Sequence, residues 1–136
     1  MFTISSEFVW PHNDQITLNG AKEIKFPKVA TKAPGVYRLD LGGDIYVGET
    51  AEANGLNGRW NNYRRYRNDK PPSYTNNRIN QLLLEAARHQ SASVSWITSD
   101  DPAIIVMGVS YDLNDKSQRK AIEGFLRVVE GARLNR

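Results

Sequence analysis

The sequence contains no cysteine and only two histidines, His12 and His89, among its 136 residues. The first absence excludes disulfides, cysteine nucleophiles and the thiolate zinc sites of fingers and ribbons. The second leaves too few imidazoles for a histidine-rich zinc site, and a Ser-His-Asp arrangement would have to draw on one of these two. Long hydrophobic runs are also missing: nothing approaches the roughly 18 consecutive apolar residues of a membrane span. The first residues, Met1-Phe2-Thr3-Ile4-Ser5-Ser6-Glu7, carry neither a basic start nor an extended apolar stretch, so the expectation is a cytoplasmic protein that does not engage a membrane. Charge of one sign is lacking too, since 18 Lys and Arg face 15 Asp and Glu for a net +3.

What is present suits one compact domain. With 40% hydrophobic residues, a chain of this length needs no covalent staples, because a domain of this size buries roughly 68% of its unfolded surface. The charges are unevenly spread. Arg59, Arg64, Arg65, Arg67 and Lys70 fall within twelve residues, interleaved with Trp60, Tyr63 and Tyr66 and opposed by Asp69 alone. Guanidinium groups carry fixed charge and paired donors that suit phosphate oxygens, and aromatics stack beside them, so this stretch is read as polyanion-binding. The alternative is a solvated basic helix face whose aromatics turn to the core.

Along the chain, Phe2 to Val9 alternates loosely and Pro11 to Asn13 breaks the pattern. Ile16-Thr17-Leu18 and Ile24-Lys25-Phe26 then flank Asn19-Gly20, which reads as an extended or hairpin leader. Gly35-Val36-Tyr37 and Tyr46-Val47-Gly48 lie on two apolar, β-prone runs joined through Gly42-Gly43, which predicts an antiparallel hairpin bringing two phenols onto one patch of sheet. A helix is expected from Leu56 to Arg67, with Arg59, Tyr63 and Tyr66 on one side and Arg64 and Arg67 on another, ended by Pro71-Pro72-Ser73. A second helix spans Asn76 to Gln90, with Ile79, Leu82, Leu83, Ala86 and Ala87 as its core stripe. Ala92 to Thr98 alternates as a strand joining the hairpin's sheet, and Ile104 to Met107 is either a buried strand or the start of a helix, with strand preferred. Asn114 or Asp115 caps a last helix bearing Ile122, Phe125, Leu126 and Val129, stopped near Gly131.

Glu123 stands beside that last apolar stripe. A carboxylate so placed pairs with an arginine or a helix-face lysine such as Lys120, or serves a hard divalent ion, which needs few protein oxygens because water and phosphate complete its shell.

Taken in order, Gly35-Val36-Tyr37, eight residues, Tyr46-Val47-Gly48, Arg59-Trp60-Asn61-Asn62-Tyr63, Glu123, and Asn135 twelve residues later resemble the GIY-YIG nucleases. The resemblance covers residues 34 to 135, about three quarters of the chain, and the layout is similar to the phage endonuclease II branch. It implies an α+β fold: a small antiparallel three-stranded central sheet flanked by helices, forming a nuclease domain over residues 34–136 with residues 1–33 packed on it as an N-terminal extension. It also implies a metal-dependent endonuclease that hydrolyses phosphodiester bonds in DNA. In that family's terms Tyr46 matches the general base for the attacking water, Tyr37 a hydrogen-bonding partner within the site and Arg59 the phosphate clamp. Tyr63 matches the tyrosine or histidine one helical turn on, Glu123 the single protein ligand of one Mg²⁺ or Mn²⁺, and Asn135 the residue that closes the site. Arg59, Trp60, Arg64, Arg65, Arg67 and Lys70 would contact nucleic acid.

The chain departs from the pattern in two places. Glu52-Ala53-Asn54-Gly55 lengthens the approach to Arg59, although the rivals Arg64 and Arg65 lack a tyrosine four residues on. Glu49 follows Tyr46-Val47-Gly48 where some branches carry a lysine, a part left to Lys22, Lys25, Lys28, Lys32 or Lys70. A carboxylate there raises a neighbouring phenol's pKa unless it faces away or pairs with an arginine. Tyrosine titrates near pH 10, so a tyrosine base depends on surrounding positive charge. Two other readings use the same scaffold: a nucleic-acid-binding module without chemistry, and a nuclease acting on RNA, since phosphate contacts carry no base information. One site per chain means that a double-strand break takes a homo-oligomer or two successive nicks.

Overall fold

A computed structural model describes residues 8–135; the extended stretch expected from Phe2 lies outside them up to Glu7. The elements run β1 (His12–Gln15), β2 (Thr17–Leu18), β3 (Ile24–Lys25), β4 (Gly35–Leu41), β5 (Asp44–Thr50), α1 (Gly55–Arg64), α2 (Thr75–Arg88), β6 (Ala92–Thr98), β7 (Ile104–Val106), β8 (Val109–Tyr111) and α3 (Lys116–Val129). The architecture is α+β.

The β4–β5 hairpin forms as its sequence dictates. Gly42 and Gly43 take φ of 71° and 98°, the left-handed pair that a tight two-residue hairpin turn demands and that a side chain would strain. Asp40 secures the turn by accepting from the Gly43 amide at 2.8 Å. The register sets Tyr37 opposite Gly48 and Leu39 opposite Tyr46. β6 pairs with the other side of β4, placing Trp96 beside Tyr37.

The central sheet has four antiparallel strands in the order β1-β6-β4-β5, which corrects the three-stranded expectation. The extra strand is β1, whose residues His12 to Gln15 pair with Trp96 to Ser93. It carries no aliphatic residue and all four positions are exposed; backbone pairing with β6 holds it, together with the His12 ring stacked on Trp96 at 5.4 Å and paired with Asp101 at 2.7 Å, and no hydrophobic alternation announces it. The hairpin expected about Asn19-Gly20 forms as β2–β3.

Alternation along β4 separates two cores. Tyr37, Leu39 and Leu41 face α1 and α2, packing with Leu56, Trp60, Tyr63, Ile79 and Leu83. The leader joins this core through Ile16, Ile24, Phe26 and Val29, and the Phe26 ring stacks on Trp60 with centroids 4.9 Å apart. On the opposite face Val36, Val47 and Ile97 meet Ile122 and Leu126 of α3.

α1 ends at Arg64, not at Arg67, and the proline pair is not what stops it. Arg65 is already extended, at φ −118° and ψ 136°. Buried Asn77 of α2 holds the following loop, accepting from the Arg67 amide at 2.7 Å and donating to the carbonyls of Arg67 and Pro71 at 2.9 and 3.2 Å. Tyr66 therefore leaves the helical face it was expected to share with Arg59 and Tyr63. Asp115 caps α3 by accepting from the Gln118 amide at 2.9 Å, and Gly131, at φ 62°, follows its end. Ile104 to Val106 is a strand, paired with β8 in a separate two-stranded sheet.

β5 is an edge strand, and unpaired edges invite association with other chains. The C-terminal segment covers part of this edge. Leu134 donates its amide to the Ile45 carbonyl at 3.1 Å, and Asn135 pairs its side chain with both backbone groups of Val47, at 2.8 and 2.7 Å. Among the described residues no helix is long and apolar enough to cross a membrane.

Candidate functional site

Four of the residues singled out by sequence converge on the α1 side of the sheet. β4 supplies Tyr37, β5 supplies Tyr46, and one turn of α1 supplies Arg59 and Tyr63. The Tyr37 and Tyr63 hydroxyls lie 2.7 Å apart, and Arg59 Nε donates to the Tyr37 oxygen at 3.0 Å. The Arg59 guanidinium carbon also sits 4.8 Å from the centre of the Tyr63 ring, in cation–π contact. The Tyr46 ring is 6.5 Å from Tyr37 and 6.4 Å from Tyr63. Asn80 of α2 fixes the end of this turn by donating to the Tyr63 carbonyl at 2.8 Å.

Gly48 makes the arrangement sterically possible. A Cβ there would overlap the Tyr37 hydroxyl and stand 2.5 Å from its Cζ, so the bare backbone lets the phenol lie across the edge strand. Tyr37 and Tyr63 are fully enclosed, whereas Tyr46 is partly exposed. Burial drives the Tyr37 hydroxyl far above its ordinary titration range, and Arg59 only partly offsets this. Burial raises Tyr63 in the same way. Both therefore stay neutral and serve as fixed hydrogen-bonding groups. Burial opposes the Arg59 charge, and the hydrogen bond that its Nε donates to the Tyr37 oxygen favours the protonated guanidinium. Of the three phenols, Tyr46 alone adjoins solvent.

Glu123 and Glu49 occupy the other side of the sheet, facing α3. Glu49 meets Arg119 Nε at 2.6 Å and Lys120 Nζ at 3.0 Å, and Arg119 also donates to the Leu113 carbonyl at 3.0 Å. Burial pushes the Glu49 carboxyl up, but these two cations prevail and hold it below the usual carboxylate range. Glu49 thus points away from Tyr46 and is neutralised, so it does not burden the phenol. Lys120, read from sequence as a partner for Glu123, serves Glu49. Glu123 instead has Arg127 at 3.3 Å. Burial raises its pKa, Arg127 compensates in part, and the Glu49 charge raises it further.

The tyrosine cluster and Glu123 are thus not in one pocket. They flank the same short piece of edge strand from opposite faces: Tyr37 lies over Gly48, and Glu123 feels the charge of Glu49. Asn135 clasps the Val47 backbone of that strand, which makes it a brace for β5.

Trp60 is corrected from a nucleic-acid contact to a core residue, because it is 0% exposed between Phe26 and the edge of Tyr37. Arg59, Arg64, Arg65 and Arg67 line a groove of about 1060 Å³ that Lys70 does not border. Arg67 is tied to Asp69 at 2.5 Å, and Lys70 lies over the Tyr74 ring at 5.6 Å. Sequence reasoning missed Arg119, Asn77 and Asn80. A buried arginine in a helix of mixed charge and two asparagines in an amide-rich helix start carry no pattern that separates them from surface residues.

No family model, curated protein or solved structure matches the chain.

Among the described residues no three His, Cys, Asp or Glu side chains gather as a metal cage. A Mg²⁺ site does not require one, since that ion keeps several waters and is held through one or two carboxylates plus substrate phosphate. Glu123 suits that role because its ionised form is under-compensated. Its folded pKa is raised, so its contribution to stability is full below the unfolded pKa and is lost as pH rises through the folded one. Glu123→Gln is therefore expected to raise the melting temperature at neutral pH and to leave it unchanged below the carboxylate range. Millimolar Mg²⁺ should raise the melting temperature of the parent protein and not that of the variant, by differential scanning fluorimetry.

Proposed function

We propose that this chain is a GIY-YIG-type, metal-dependent endonuclease that hydrolyses phosphodiester bonds in DNA. The observation that carries the reading is the hydrogen-bonded set of Tyr37, Tyr63 and Arg59, in which two enclosed phenols adjoin an arginine that also lines the open groove, with the partly exposed Tyr46 beside them. A structural tyrosine cluster needs no arginine, and even partial burial of a charge that, among the described residues, no carboxylate pairs carries a cost. In this reading Tyr46, the phenol that adjoins solvent, takes the proton of the attacking water. Arg59 keeps donors beyond its Nε for a non-bridging phosphate oxygen, opposing charge that builds on the phosphorus. Tyr37 and Tyr63 hold Arg59 in place and carry no proton to solvent. Glu123 would hold Mg²⁺ or Mn²⁺, which when bound would supply positive charge to the phosphate and its leaving oxygen. Arg127, about half exposed, would swing aside for the ion.

A plasmid assay tests the proposal. Purified protein should nick or linearise supercoiled DNA with Mg²⁺ or Mn²⁺, stop on chelation, and stop in Glu123→Ala. Undiminished cutting by a folded Glu123→Ala would overturn the metal assignment.

The Glu123–Arg127 pair favours a second reading, a nucleic-acid-binding module on the same scaffold, because an occupied carboxylate is not committed to a metal. Gel-shift binding without cleavage under any divalent ion is its signature. An RNA-directed nuclease would instead cut a structured RNA in the same buffer.

A further inference from the structure

The leader has no part in the proposed chemistry, yet its β2–β3 turn forms a wall of the groove of about 1060 Å³ that Arg59 lines. The turn is built to hold one shape. Asn19 accepts from the amides of Ala21 and Glu23 at 2.9 and 3.0 Å, and its carbonyl accepts from Lys22 at 2.8 Å. Lys22 sits at φ 61°, a left-handed conformation unusual for a lysine, with its side chain exposed. The opposite wall is α1 and the loop after it, which Asn77 fixes from beneath. Two independently braced backbone segments thus present Lys22, Arg64, Arg65 and Arg67 to one concave surface, with Arg59 of the tyrosine cluster on the same lining.

The charge balance of this surface is one-sided. Its lining carries five cations and a single carboxylate, Glu23. Lys22, Arg64 and Arg65 enter no ion pair among the described residues. Unpaired like charges crowded into a groove repel one another, and a polyanion relieves that repulsion. Exposed amides of Asn61 and Gln81 lie on the same lining and offer both donors and acceptors.

We propose that this groove binds the phosphodiester backbone of the nucleic acid flanking the scissile bond, with the β2–β3 turn and Lys22 as its outer wall. The inference rests on the nuclease reading for its orientation, because Arg59 joins the groove to the tyrosine cluster. The leader is then a substrate-binding element and not only a piece of the core.

The test is fluorescence anisotropy of the full chain in EDTA, with labelled duplex DNA, single-stranded DNA and duplex RNA, across a range of salt. Each phosphate contact contributes a slope of about −0.9 in log K against log salt on duplex DNA and about −0.7 on single strands. Lys22→Asn keeps a residue suited to the left-handed conformation, and Arg65 is exposed, so neither Lys22→Asn nor Arg65→Ala endangers the fold. Each is expected to reduce the slope by about one contact and to weaken binding equally across sequences. Lys116→Ala, an exposed charge at the start of α3, should leave the slope unchanged. Slopes of Lys22→Asn and Arg65→Ala equal to that of the parent on all three polymers would overturn the proposal, and a loss on any of them supports it and names the polymer. Cleavage with unaltered slopes sinks the groove alone, while a groove-dependent slope without plasmid cleavage sinks the nuclease reading and keeps the groove.

Discussion

Tyr46→Phe is expected to fold like the parent protein and to cleave DNA about 10²- to 10⁴-fold more slowly, the range that a positioned general base contributes. The substitution removes one oxygen and little else. The Tyr46 ring packs against the α1-side core, and phenylalanine preserves that contact. The comparison with Tyr37 gives the experiment its resolution. The fully buried Tyr37 hydroxyl is bonded to both Tyr63 and Arg59, so Tyr37→Phe strands the enclosed Tyr63 hydroxyl and releases the half-buried Arg59, at a cost of about 1–3 kcal/mol. Tyr37→Phe should lower the melting temperature along with the rate, whereas Tyr46→Phe should lower only the rate. Single-turnover cleavage of a labelled duplex, read beside thermal melts of both variants, separates the roles. A Tyr46→Phe protein that cleaves at the parental rate would remove Tyr46 as the base.

Glu49→Gln is expected to cost about 3–5 kcal/mol, a fall of roughly 10–20 °C in melting temperature for a chain of this length. Arg119 is almost wholly enclosed, with a side chain 5% exposed, and Glu49 is its charge partner at 2.6 Å. A neutral amide in that place can still accept a hydrogen bond but removes the charge that offsets the buried guanidinium, which is then left with neutral acceptors such as the Leu113 carbonyl. The pH dependence has a definite sign. The Glu49 carboxyl is held below its unfolded value, so the stabilisation is present above that value and is lost as pH falls through the folded one. Urea denaturation should therefore show the parent and Glu49→Gln far apart at pH 7 and converging below the carboxylate range. Equal stabilities at neutral pH would contradict the role assigned to this pair.

Residues whose chemistry acts locally were legible in the sequence. The diglycine turn, the period-2 strands around Tyr37 and Tyr46, the Asp115 cap and the apolar stripe of α2 each follow from interactions within a few residues. What escaped depends on distant partners. β1 is a strand because the open side of β6 offers it hydrogen bonds and because Trp96 and Asp101, more than eighty residues on, receive the His12 ring. α1 stops early because Asn77, on another helix, takes hold of the loop. Glu49 was read as a difficulty for Tyr46 because its partners, Arg119 and Lys120, lie some seventy residues away. Trp60 looked like a stacking platform because basic neighbours surround it in sequence, while its ring packs on Phe26 from the leader. Within the candidate site, Tyr37 beside Tyr46 follows from the hairpin and Arg59 beside Tyr63 from helical spacing, whereas the meeting of the two pairs was implied by the resemblance alone. The division of the set between two faces of the sheet was not legible, because it depends on where α3 docks.

The Asn135 clasp carries a consequence for the order of assembly. Two residues close the β4–β5 turn, whereas the bonds between Asn135 and Val47 span 88 positions. Closure entropy grows with loop length, so the hairpin bearing both phenols is free to form early and the clasp comes late. Until it does, the middle of β5 is an open template for a neighbouring chain. The amide proton of Val47 is therefore a clock for completion of the fold, protected from exchange only once the last turn of chain has come round to the edge.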